Sequence, residues 1–119
     1  MEVRVMDCLF CKIIEGTIPS TKVFENEHVL AFQDIAPAAP THILIIPKKH
    51  IATMNDVTRE DDVAIAEIFA AARHIAKEQG FDEGGYRLIN NCNADGGQVV
   101  YHLHFHLLAG KKLGALLSE

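Results

Sequence analysis

Along the chain, hydrophobic and polar positions change their period several times, and each change marks an element. Between residues 58 and 80, Ile65, Ile68, Phe69, Ala72, Ile75 and Ala76 recur at helical spacing. Thr58 can cap that helix, Glu60, Asp61 and Asp62 suit its positive end, and Gly80 stops it. Its apolar stripe predicts a helix laid over a sheet. A shorter helix is predicted over residues 8–14, capped by Asp7 and stopped at Gly16. Strand-forming runs occupy residues 22–25, 28–33, 42–46 and 86–91, the first two joined by a turn at Glu25-Asn26-Glu27. The two-proline stretch 34–41 and the segment 93–97 read as loops. The last run, VVYHLHFHLL at residues 99–108, predicts a fifth strand. Alternation would put His102, His104 and His106 on one face and Leu103, Phe105 and Leu107 on the other. Together these elements predict an α+β fold: a five-stranded antiparallel sheet with one long and one short helix. Residues 1–119 read as one domain, without repeat or linker.

Composition narrows the function. The chain is 49% hydrophobic and 23% charged, with interspersed signs, which excludes a disordered segment. Its net charge of −5 disfavours a nucleic-acid polymer as partner, because that binding needs clustered positive charge. Neither a basic leader nor a long apolar run is visible, so no membrane span is expected and the cytoplasm is the expected compartment. Three cysteines fit that reducing setting.

Three alternating histidines in a chain holding seven call for a reason. A half-buried strand with a polar face is the plainest; a metal site and covalent chemistry are the sharper ones. Cys8 and Cys11 stand at the spacing by which two thiolates grip one zinc, and His50 plus one strand histidine can complete Cys2His2. One ion cannot take all three strand histidines, because the first and last are about 13 Å apart along an extended strand. Imidazole is also a nucleophile toward phosphorus when its second nitrogen holds a proton against a fixed acceptor. Neighbouring histidines can then bind phosphoryl oxygens and move a proton. The segment NADGGQ can add backbone N–H groups and the Gln98 amide. Asp34 is a candidate for the two hydroxyls of a ribose.

HLHFHLL fits the pattern His-φ-His-φ-His-φ-φ, with φ apolar, and DIAPAAPTHILIIPKKHI and NNCNADGGQVVYHLHFHLLAG extend the match. From about Asp7 to Gly110 the chain resembles the histidine triad (HIT) family, in particular its Hint branch of purine nucleoside phosphoramidate hydrolases. The resemblance implies a homodimer whose two sheets join into one of ten strands, with a purine nucleotide of the AMP or GMP type on each protomer. It implies that His104 is the nucleophile, that His106 contacts the phosphate and that His42 belongs to a proton relay. Zn2+ would be held by Cys8, Cys11, His50 and His102, in a structural role. Asp34 and Ile35 would take the ribose, Phe10, Ile14 and Ile18 the base, and Asn91, Gln98 and the Val99 amide the phosphate. Two departures from animal members stand out. Val99 replaces a serine, and KKLGALLSE lacks a tryptophan-bearing tail, so leaving-group preference is open. The expected activity is hydrolysis or transfer on AMP amidates and esters through a nucleotidyl-histidine. Hydrolysis of dinucleoside polyphosphates, as in the Fhit branch, and a zinc-stabilised nucleotide-binding protein with little turnover are the alternatives.

Overall fold

The structure, a computed structural model, describes residues 8–116. Helix α1 (Leu9–Glu15) starts on Cys8, whose Sγ accepts a hydrogen bond from Cys11 N–H at 3.2 Å. The cap expected from Asp7 lies outside the described residues. Strands β1 (Lys22–Glu25), β2 (Val29–Gln33) and β3 (Thr41–Pro47) follow, then 3₁₀ turns at Met54–Asp56 and Arg59–Asp61. Helix α2 (Asp62–Gln79), β4 (Tyr86–Asn90), the single turn α3 (Asn93–Gly96) and β5 (Phe105–Ala109) complete the order. The sheet is antiparallel with strand order β1-β2-β3-β5-β4. The α+β class and its five strands are as the sequence predicts.

Register decides what each face carries. Ile43 pairs with Leu107 and Ile45 with Phe105, while Ala31 lies beside Ile45. These side chains, with Val29, pack against Ile68, Ala71, Ala72 and Ile75 of α2 in the main core. Opposite faces follow from alternation: Leu30, Phe32, Leu44 and Ile46 meet Cys8, Phe10, Cys11 and Ile13 of α1. A seven-residue helix covers only part of that second face. His42 and His106 share the face, because His106 pairs with Leu44, two residues along β3 from His42.

Several local expectations change. The first turn of the long helix is 3₁₀, closed by a Thr58–Asp61 capping box, and α2 proper begins at Asp62. Phe69 is 41% exposed, its ring edge-on to Phe105, and Ala71 fills the buried stripe position instead. Segment 93–97 contains a helical turn rather than an open loop. The fifth strand begins only at Phe105, so His102 and His104 precede it, although both are buried. Among the described residues, no helix is long and apolar enough to cross a membrane.

Candidate active site and metal centre

Four sequence-predicted ligands converge. Single ligand atoms of Cys8, Cys11, His50 and His102 all lie within 4.8 Å of one another. His102 Nδ1 is 3.2 Å from Cys8 Sγ and 3.6 Å from Cys11 Sγ, and His50 Nδ1 is 3.4 Å from Cys11 Sγ. His102 Nε2 meets Pro47 O at 2.8 Å; a carbonyl only accepts, so Nε2 carries the proton and Nδ1 is left free for a cation. Two thiols and two imidazoles, one already oriented by a backbone carbonyl, fit a tetrahedral zinc. Burial first, then the Cys8 thiol, pushes Cys11 up to about 12, so the free protein holds it as a thiol; a bound cation reverses that preference. The segment before His50 is tied down by ion pairs: Lys48 Nζ reaches Glu25 at 2.7 Å and Lys49 Nζ reaches the buried Asp61 at 2.7 Å.

The same reasoning assigns the other histidines. His104 Nδ1 sits 2.8 Å from His102 O and must donate, which leaves His104 Nε2 with a free lone pair. Ala38 N–H donates to His42 Nδ1 at 3.0 Å, so the His42 proton is on Nε2. That proton faces His106 Nδ1 at 2.9 Å, with Asp34 Oδ2 at 3.5 Å. His106 then carries its own proton on Nε2. Asp34, His42 and His106 also cluster closely enough to hold an ion, but the atom of His42 at the centre is protonated. Hydrogen-bond polarity thus separates a cluster that could hold a metal at His102 from a proton-bearing chain at His42 and His106.

Burial favours the neutral form of His104 and His106. Burial, and then His104 and His42, bring His106 down to about 4. Burial lowers His104 as well, opposed by its bond to His102 O and by Asp34. A neutral imidazole is what nucleophilic attack requires.

Beside the histidines lies an apolar cleft of about 280 Å³, lined by Leu9, Phe10, Ile13, Ile18, Phe32, Asp34, Ile35, Leu44 and Val100 among others. The Phe10 ring stands edge-on to His104, centroids 5.2 Å apart. Of the residues the resemblance assigns to the nucleoside, Phe10, Ile18, Asp34 and Ile35 line this cleft, whereas Ile14 packs on the α1 core and Leu9 and Ile13 line the cleft beside Phe10. The Gln98 side chain is engaged within its own surroundings. Its Oε1 accepts from Asn93 N–H at 2.8 Å and its Nε2 donates to Ala52 O and Val100 O, which leaves no N–H for a phosphate. The Gln98 amide shapes the loop. Asn91 is half-buried and the Val99 side chain is 87% exposed. One contact escaped the sequence reading: Asn90 Nδ2 donates to His104 O at 3.0 Å. Nothing in the pattern of an edge strand signals such a bond.

The molecule is thus a small α+β domain whose antiparallel sheet carries paired imidazoles beside an apolar cleft, with a cluster of two thiols and two imidazoles next to them. The sequence matches the HIT domain family over residues 15–113. It is 50% identical over 113 residues to a purine nucleoside phosphoramidase of Escherichia coli K12, covering 95% of each chain. A histidine triad protein of Clostridium difficile superposes with a TM-score of 0.91 at 53% identity, covering 98% of this chain and 100% of that one. A HIT family hydrolase of Legionella pneumophila gives 0.87 at 56% identity over 90% and 96%. The chain belongs to the HIT domain family.

Proposed function

We propose that the protein hydrolyses purine nucleoside phosphoramidates and related AMP esters through a nucleotidyl group carried on His104. The observation that supports this most is the orientation of His104: Nδ1–H is tied to His102 O, which leaves Nε2 with its lone pair, and the ring packs edge-on against Phe10 of the cleft wall. The nucleoside lies in the cleft between Phe10 and Ile18, its ribose hydroxyls on Asp34 beside Ile35. Asn91 and the Val99 amide meet the phosphate.

In the first half-reaction the His104 Nε2 lone pair forms a bond to phosphorus as the P–N bond to the leaving amine breaks. The phosphoryl anion favours one proton on the His42–His106 pair beyond the one each ring already carries, against the burial that opposes it on His106 in the free protein. That proton leaves with the amine. In the second half, water attacks phosphorus, gives a proton to His106, and the N–P bond returns its electrons to Nε2. Zinc at Cys8, Cys11, His50 and His102 supplies a structural cross-link and takes no part in these steps. We further propose a cytoplasmic homodimer with sheets joined edge to edge; β1 and β4 are the sheet's two edge strands.

Intact-mass spectrometry after a brief acid quench with adenosine phosphoramidate tests the reading. A gain of one adenylyl group, absent in His104→Ala, is expected. No adduct together with no AMP release overturns it.

A further inference from the structure

We infer that the four-ligand centre does more than hold the fold: binding of a cation there and binding of a nucleotide in the cleft are thermodynamically linked. Two routes connect the sites, and both are short. The first is main-chain. His102 offers its ring to Cys8 and Cys11, while its carbonyl accepts the His104 Nδ1–H at 2.8 Å. One residue therefore ligates on one side and orients the nucleophile on the other. The second route is α1. Cys8 and Cys11 bracket Leu9 and Phe10, and both of these line the nucleoside cleft. Phe10 packs edge-on against His102 at 6.0 Å, against His104 at 5.2 Å and against Phe32 at 5.5 Å.

Segment 102–104 is held by the burial of Leu103 in the main core and by a few hydrogen bonds rather than by a strand ladder. It lies outside β5, and its further anchors are Leu103 N–H to Ile51 O at 2.6 Å, Asn90 to His104 O, and His102 Nε2 to Pro47 O. A cation drawing Cys8, Cys11 and His102 together fixes both the cleft wall and the His102 carbonyl. Without it, sulfur–nitrogen contacts of 3.2–3.6 Å between neutral groups are the substitute, and they are weak. Phe10 and His102 are thus positioning residues for His104. Linkage is reciprocal, so AMP must tighten cation binding by the factor by which the cation tightens AMP binding.

The inference rests on the proposed nucleotide site, and the test separates the two. Zinc-loaded and chelator-stripped protein are compared for AMP affinity by calorimetry. Zinc affinity is measured by chelator competition with and without AMP, and the His104 ring nitrogens are followed by NMR. Circular dichroism checks that the stripped protein keeps its sheet. The expected result is AMP binding about tenfold tighter in the loaded protein, with the same factor on zinc and a shifted His104 signal. Phe10→Leu should retain zinc while most of that factor disappears. Equal AMP affinities and an unchanged His104 signal overturn the inference, as does loss of the sheet on stripping, which would make the effect general unfolding. If AMP bound neither form, the functional reading would fail and the linkage with it, whereas equal, measurable affinities would overturn the linkage alone.

Discussion

Replacing His42 with phenylalanine isolates the proposed relay from the proposed nucleophile, His104. The variant keeps a ring on β3 but removes the Nε2–H that His106 Nδ1 accepts at 2.9 Å. The Ala38 N–H it releases is exposed and can turn to water, so the fold should lose only about 1 kcal/mol. The catalytic cost is larger. When the pair holds an extra proton the lost bond is charge-assisted, worth about 1.5–3 kcal/mol, or roughly 10- to 150-fold in kcat/KM. That cost should depend on the leaving group. An alkylamine needs the proton; a nitrophenolate does not. Steady-state rates on an adenosine alkylphosphoramidate should fall by the full factor, and on a nitrophenyl ester of AMP by about threefold or less. Equal losses on both substrates, or no loss on the amidate, would refute a proton-delivery role for His42, provided the melting temperature stays near the parent's.

Ile75 is fully buried under the sheet, and Ile75→Ala should cost about 2–5 kcal/mol, lowering the melting temperature by roughly 10–20 °C in calorimetry. Gly110 has φ 98°, and a Cβ there would lie 2.8 Å from Pro40 Cβ. Gly110→Ala should therefore destabilise by about 1–3 kcal/mol and, by displacing the loop after Asp34, weaken AMP binding in the same titration series. Since burial lowers His106 from 6.5 to about 4, the unfolded chain takes up this proton first as pH falls. The stability it confers is complete above about pH 6.5 and is lost on descent to about 4; denaturant midpoints should decline across that window, and less steeply in His106→Asn.

How far the sequence carried these conclusions differs by element. Long-range periodicity was enough for α2 and for the four strands from β1 to β4, because each has an apolar face to bury. Cys8, Cys11 and His50 were legible as possible ligands because zinc chemistry restricts ligand type and spacing, whereas the choice of His102 among the strand histidines came from the family resemblance. Roles that depend on hydrogen-bond polarity were not legible. Gln98 looks like a phosphate ligand in a list of residues, and only the positions of Asn93, Ala52 and Val100 reveal that its N–H groups are engaged. Ile13 and Ile14 are equally apolar neighbours on a short helix, and a single rotation of α1 decides which one lines the cleft. Asn90 is polar in an edge strand, where polar residues need no reason.

The late start of β5 has a cause that the sequence contains. Ile45 pairs with Phe105, so continuing the antiparallel register would set Pro47 against Leu103. Proline has no N–H to give, and the ladder stops there. Pro47 O is instead taken by His102 Nε2–H, and Leu103 N–H turns to Ile51 O. This interruption has a chemical consequence. In a continuous strand the carbonyl of His102 would point along the ladder toward a neighbour's amide; released from it, that carbonyl orients the His104 imidazole. Alternation still sends Leu103, Phe105 and Leu107 to the main core, which is why a strand reading predicts the faces correctly and the hydrogen bonds wrongly. Replacing Pro47 with alanine would restore a donor opposite residue 103. If the proline is what keeps the His102 carbonyl free, Pro47→Ala should shift the His104 Nδ1–H resonance and slow adenylylation while leaving the melting temperature unchanged or higher. An unaltered resonance would show that the metal-centre contacts alone hold the segment out of the sheet.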